Sequence, residues 1–261
     1  MSEPEVMVDT TVLVEATLKW RENRRAAREA LLRYSRTTMP TYAMKEFRAG
    51  ALATAVRFHN LLVREKTLSG ATKRALKDNS FARNRQSTSS ELNSVLLADR
   101  FPRDETPQQS ARTIRRYLYR MVMEAWRDRE RLTTGRTVRL ACFGEDDPVK
   151  PRDSEELILE PESCERRADC QLAMGFRRRR EDVTVLLEVV RGAKTKPENA
   201  RREKALVQLL VPGAPFGDQH CRGLGDAVFA LMATKSGAVL TTNGGDHGPL
   251  TAALGKRVEK L

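Results

Sequence analysis

The sequence predicts an α/β fold built on a parallel sheet whose best-defined elements come from the two ends of the chain. Three observations carry this. EVMVD at 5–9 and GAVLTT at 237–242 are short apolar runs of strand length. Each adjoins a segment with helical apolar spacing, the alternation expected of strand–helix–strand units. An acid stands at each junction: Asp9 ends the first strand, Asp226 heads the helix GDAVFALMA, and Asp246 follows the late strand.

After Thr10 and Thr11, the stretch at 12–36 places Leu13, Ala16, Trp20, Ala27 and Leu31 on one helical stripe with Leu32 beside it, and predicts one helix. Arg21, Arg24, Arg25, Arg28, Arg33 and Arg36 take much of its other surface. A polar run, TTMP, precedes a second helix from Thr41 to about residue 66, with Glu46 in its second turn. Residues 67–110 read as loops around short helices. A third helix over 110–131 buries Ile114, Leu118, Met121, Val122, Ala125 and Trp126 and exposes Arg112, Arg115, Arg116, Arg120 and Arg127. GRTVRLACF at 135–143 alternates as a strand, and residues 144–165 turn acidic, with nine Asp or Glu against two Lys or Arg. Helices follow at 182–191 and 198–211, then a loop, VPGAPFGDQHCRG, and a helix, strand, helix and strand over 224–260.

With 261 residues the chain can bury a sizeable core. Its net charge of +12 points to a polyanionic partner, and an aromatic content of 5% favours recognition of a phosphate backbone over extensive base stacking. Nucleic acid is therefore the expected ligand, with Arg24, Arg28, Arg115, Arg116 and Arg120 as candidate contacts; a solvated helix surface is the competing explanation. No apolar run spans a bilayer, and the acidic start MSEPEV lacks the basic opening of a signal peptide, so the expected location is cytoplasmic. Cys142, Cys164, Cys170 and Cys221 form no C-x-x-C pair and read as reduced thiols, with convergence of Cys164, Cys170, His220 and Cys221 on zinc as the alternative.

In an α/β sheet of this kind, functional groups gather at the carboxyl ends of strands, where Asp9, Asp226, Asn243 and Asp246 would meet. Taken alone, Asp226 is a helix cap. Several carboxylates brought together repel one another unless a cation neutralises them, and hard oxygen ligands select Mg²⁺ or Mn²⁺. Such a centre suits phosphate chemistry.

VDTTVLVEA, MPTYAMKEF and GLGDAVFALMATKSGAVLTTN, in that order, resemble the successive motifs of PIN-domain nucleases. The resemblance covers residues 5–55 and 220–260. It implies a three-layer α/β/α fold and a metal-dependent endonuclease, most often acting on RNA, that leaves a 5′-phosphate and a 3′-hydroxyl. It implies Asp9, Glu46 and Asp226 as catalytic, metal-binding acids with Mg²⁺ or Mn²⁺, and Asp246 as the fourth. Family members often carry an acid directly after Thr-Asn, where this chain has Gly244; the GG at 244–245 is expected to turn the backbone and swing Asp246 inward, the alternative being a cap on HGPLTAALG. The resemblance also implies a toxin or defence setting with an antitoxin or other regulatory protein as partner.

Against the small members of that family the chain is long. The expected organisation is an N-terminal core part at 1–60, a mainly helical basic insertion with some core elements at 61–200, and a C-terminal core part at 201–261. A catalytically inactive PIN-like binding or scaffold subunit is the alternative function. In either case, the acidic 144–165 segment is a solubilising loop or, as the alternative, a competitor for the basic helices.

Overall fold

The computed structural model describes residues 5–19, 21–78, 106–136, 147–152, 154–160, 170–193, 197–233 and 237–261. Its centre is strand β1 (Glu5–Val8), an apolar run flanked by parallel neighbours on both sides, β2 (Arg36–Met39) and β6 (Ala238–Thr241). Val6, Met7 and Val8 are buried, the continuous burial of a strand inside a parallel sheet. The two-residue β3 (Gly135–Arg136) extends the sheet beyond β2, and β7 (Arg257–Lys260) closes the other side, giving the order β3-β2-β1-β6-β7 with every pairing parallel.

Chain order thus runs outward from β1 to β3 and restarts on the opposite side of β1 at β6. Between β1 and β2 lie α1 (Thr10–Thr17) and α2 (Arg21–Leu31). Between β2 and β3 lie α3 (Thr41–Phe47), a π-helical turn (Arg48–Leu52), α4 (Ala53–Glu65), α5 (Leu68–Lys77) and α6 (Pro107–Asp128). The helix α12 (Gly244–Ala253) joins β6 to β7 and packs on α11 (Ala227–Met232) and α8 (Arg180–Gly192). Parallel crossovers are right-handed as a rule, so crossovers running in opposite directions from β1 and β6 put α1 and α12 on opposite faces, consistent with three α/β/α layers. The remaining helices are α7 (Gln171–Arg177), α9 (Pro197–Leu210) and α10 (Asp218–Leu224).

Several sequence expectations change. The single helix expected over 12–36 is two helices and a strand. Leu13, Ala16, Ala27 and Leu31 are buried as expected, but Leu32 is 84% exposed, and Trp20 lies outside the described residues. The polar RTTM is strand β2 because threonine is β-branched and its hydroxyls find internal acceptors: Thr37 donates to the Leu132 carbonyl at 3.2 Å and Thr38 to that of Val6 at 3.4 Å. Residues 218–224, expected as loop, form α10. Of the strand expected at 135–143 the described part is β3, and 137–143 lie outside the described residues. The long helix from Thr41 is continuous to Glu65 through the π turn, and α6 starts at Pro107 behind a Thr106–Gln109 capping box.

The acidic segment forms an antiparallel hairpin, β4 (Val149–Pro151) and β5 (Leu157–Leu159), laid along α4. Asn60 fastens it, donating to the Leu157 carbonyl and accepting from the Leu157 N–H, each at 2.8 Å. Among the described residues no helix is long and apolar enough to cross a membrane.

Candidate active site

The point where strand order reverses, between β1 and β6, leaves a crevice at the carboxyl ends of those strands, the usual binding place of an open α/β sheet. Asp9 stands there. It is 2% exposed, and its N–H extends the β1–β6 ladder to the Leu240 carbonyl. Its Oδ1 caps α1 by accepting from the Thr10 N–H at 2.6 Å, and its Oδ2 accepts from the hydroxyls of Thr11 at 2.6 Å and Thr241 at 2.8 Å. Those hydroxyls are aimed in turn by the N–H groups of Thr242 and Asn243.

Glu46 arrives from α3. Its Oε2 accepts from the Thr10 hydroxyl at 2.7 Å, so one threonine links the two acids, and the Tyr42 hydroxyl lies against the same carboxylate. Burial pushes the Glu46 carboxyl up to about 7; the hydroxyls of Thr10 and Tyr42 oppose the rise, while Asp9 and Asp226 add to it.

Asp226 precedes α11 but makes no cap bond to it. The capping explanation therefore fails, and its carboxylate turns to other partners. Oδ2 accepts from Arg202 Nη2 at 2.9 Å, and Oδ1 lies 3.3 Å from His247 Nε2. Gly225, at φ +48, makes the turn possible, and a side chain there would press on the Arg202 guanidinium at 3.3 Å. Burial raises the Asp226 carboxyl above its ordinary range; His247 and Arg202 pull it back, whereas Asp9 and Asp246 push it further.

Asp246 sits in the first turn of α12 and accepts from the Asn243 side chain at 2.6 Å. Two details of the expectation are corrected here. Gly244 and Gly245 are helical and do not take positive φ, and the helix begins at Gly244, so Asp246 is inside its first turn and not a cap before it. Asp246 reaches the centre through its charge on Asp226.

His247, unremarked in the sequence, lies at the middle of the group. It is buried, stacks edge-on against Phe229, and places Nε2 3.3 Å from both Asp9 Oδ2 and Asp226 Oδ1. Its Nδ1 is buried without a hydrogen-bond partner. Burial disfavours its charged form, but Asp9, Asp226 and Glu46 outweigh this and raise its pKa. Burial likewise acts to raise Asp9, but the His247, Thr11 and Thr241 contacts win and hold it low. The available signal was position: one of only three histidines follows the last candidate acid. Arg202 carried no comparable mark.

Among the described residues, no three His, Cys, Asp or Glu side chains converge as a ready metal-ligand set. His247 and Arg202 meanwhile partner two of the four acids. Neither Cys170 nor Cys221 is in a disulfide, and Cys142 and Cys164 lie outside the described residues.

The candidate arginines lie elsewhere. Arg24 and Arg28 border a cleft with the C-terminal end of α6, where Arg28 pairs with Asp128 at 2.6 Å. Arg115, Arg116 and Arg120 line a second cleft between α6 and the hairpin, and Arg115 pairs with Glu155 at 2.6 Å. None of the four acids lines either cleft.

Comparisons with protein-family models, curated proteins and solved structures returned no match.

Proposed function

We propose that the chain is a PIN-like endonuclease that hydrolyses phosphodiester bonds of RNA with Mg²⁺ or Mn²⁺. One observation carries the reading: Asp9, Glu46 and Asp226, from three distant segments, share the crevice at the sheet's switch point, where the charge of Asp9 adds to the proton affinity of both other acids. Four acids there face two cationic partners, His247 and Arg202, a negative surplus that fits a hard divalent cation bound through carboxylate oxygens. When bound, such a cation supplies charge neutralisation for the phosphate and a lowered pKa for water.

The protein's own contributions follow from the contacts. Thr10 fixes the spacing of Asp9 and Glu46, and His247, with the Thr11 and Thr241 hydroxyls, holds the Asp9 carboxyl low. Burial holds Glu46 near 7 in the metal-free chain, a cost of buried charge that a cation bound beside it would relieve. Incubation of the purified chain with RNA and Mg²⁺ or Mn²⁺ tests the reading, with cleavage expected to stop in the Asp9→Asn variant.

A second reading is supported by His247. An imidazolium between Asp9 and Asp226 already balances part of the charge, as a catalytically inactive PIN-like binding or scaffold subunit under a protein partner would permit. Isothermal titration with Mn²⁺ separates the two, because only the enzyme requires the cation.

A further inference from the structure

We propose that the cleft between α6 and the β4–β5 hairpin binds the phosphate backbone of single-stranded RNA, apart from the acidic centre, with Tyr119 as a platform for a base. The choice of RNA rests on the nuclease reading; the site itself rests on the cleft.

The cleft measures about 920 Å³. Arg112, Arg116 and Arg120 follow one another at i, i+4 and i+8 on α6, so their stems rise in steps of about 6 Å along one stripe. All three are exposed, and among the described residues none has a carboxylate partner. Three unpaired guanidiniums in a row repel one another, and a chain of phosphates is the ligand whose repeating charge matches them.

The adjacent stripe carries Arg115 and Tyr119. Tyr119 is 40% exposed, an unusual solvent face for an aromatic ring, with its other side supported by His59 at 6.0 Å between centroids. An aromatic face among arginines suits one stacked base with its flanking phosphates.

Glu155 shows where an anion sits. At the hairpin's turn it takes φ +62, a conformation rare for a side-chain-bearing residue, and presents its carboxylate to Arg115 at 2.6 Å. A carboxylate and a phosphate oxygen meet guanidinium in the same way. The cleft lies roughly 20 Å from the acids, the length of the continuous helix from Glu46 to His59. Backbone held there would leave a strand free to reach the crevice a few nucleotides away.

The test uses the full chain carrying Asp9→Asn, so that binding is read without turnover, and fluorescence anisotropy of a labelled single-stranded oligoribonucleotide over a salt series. The Arg112→Ala/Arg116→Ala/Arg120→Ala variant should bind more weakly and lose about two units of log–log salt slope, while its all-Lys counterpart keeps the slope. Tyr119→Ala should weaken binding about tenfold without changing the slope. An unchanged slope in the folded Ala variant, verified by circular dichroism, overturns the proposal. So does an Ala variant that binds RNA normally but loses affinity for polyglutamate, which would make the cleft a protein-docking site. Loss of slope together with absent cleavage by the wild-type chain would keep this site and discard the nuclease reading; cleavage with an unchanged slope would do the reverse.

Discussion

His247 Nε2 lies 3.3 Å from Asp9 Oδ2, a buried imidazole against a buried carboxylate. Because the folded-state pKa of His247 is raised, its contribution to stability is fully present below its ordinary pKa of 6.5 and is lost as pH rises through the folded value. His247→Gln should therefore lower the metal-free unfolding free energy at pH 6, by on the order of 1–3 kcal/mol, and flatten the decline expected of the wild type above that pH. Thermal unfolding in chelator across pH checks this. A variant as stable as the wild type at pH 6 would show that the imidazole is not the counter-ion.

Glu46 adds to the same loss of stability with rising pH in the unliganded protein. Its folded pKa of about 7 against 4.5 means that stability present below pH 4.5 is lost as pH rises through 7. Glu46→Gln stays neutral, so it should raise the metal-free unfolding free energy at pH 8, by roughly 1–3 kcal/mol, and change little at pH 4. Turnover should be lost in the same variant. Equal stabilities at pH 8 would mean that Glu46 is ionised without cost and would remove the argument that its charge calls for a cation.

Asp246 is separable from these two because it accepts from Asn243 within the start of α12. Asp246→Asn retains a polar group in the first turn of α12 and should leave stability within about 0.5 kcal/mol. Turnover should fall steeply and need more Mg²⁺ or Mn²⁺. Near-wild-type turnover at limiting metal would reduce the site to Asp9, Glu46 and Asp226.

The hairpin pairs Glu155 with Arg115, Glu156 with Arg64 and Glu160 with Lys150. Replacing the three glutamates by Gln should increase RNA affinity at low salt, and the difference should shrink as salt screens it. Filter binding at two ionic strengths is sufficient. Identical affinities at low salt would leave the hairpin as packing on α4 and no more.

Sequence patterns carried β1, β6 and the long helices because apolar periodicity reports burial directly. They failed at β2, where buried threonines look polar until their hydroxyl partners are known, and at 12–36, where Ala and Arg extend a helical pattern across a break. In the site, Asp9, Glu46 and Asp226 were legible from motif order, and they do meet. Arg202 and His247 were not, since a counter-ion is defined by what lies opposite it in space and neither occupies a patterned position. The cap expected of Asp226 failed for the same reason: local sequence offers the helix N–H groups, whereas the fold offers Arg202 and His247. Net charge gave no sign that Arg24 and Arg28 border one cleft and Arg115, Arg116 and Arg120 another.

The most direct measurement is RNA cleavage by the wild-type chain and Asp9→Asn, side by side, titrated with Mn²⁺ and then with chelator. Wild-type cleavage should rise with Mn²⁺ and stop with chelator, and Asn at position 9, nearly isosteric, should remove it while the melting temperature persists. Equal cleavage by the two proteins, or cleavage unaffected by chelator, would contradict the assignment of a metal-dependent centre at Asp9.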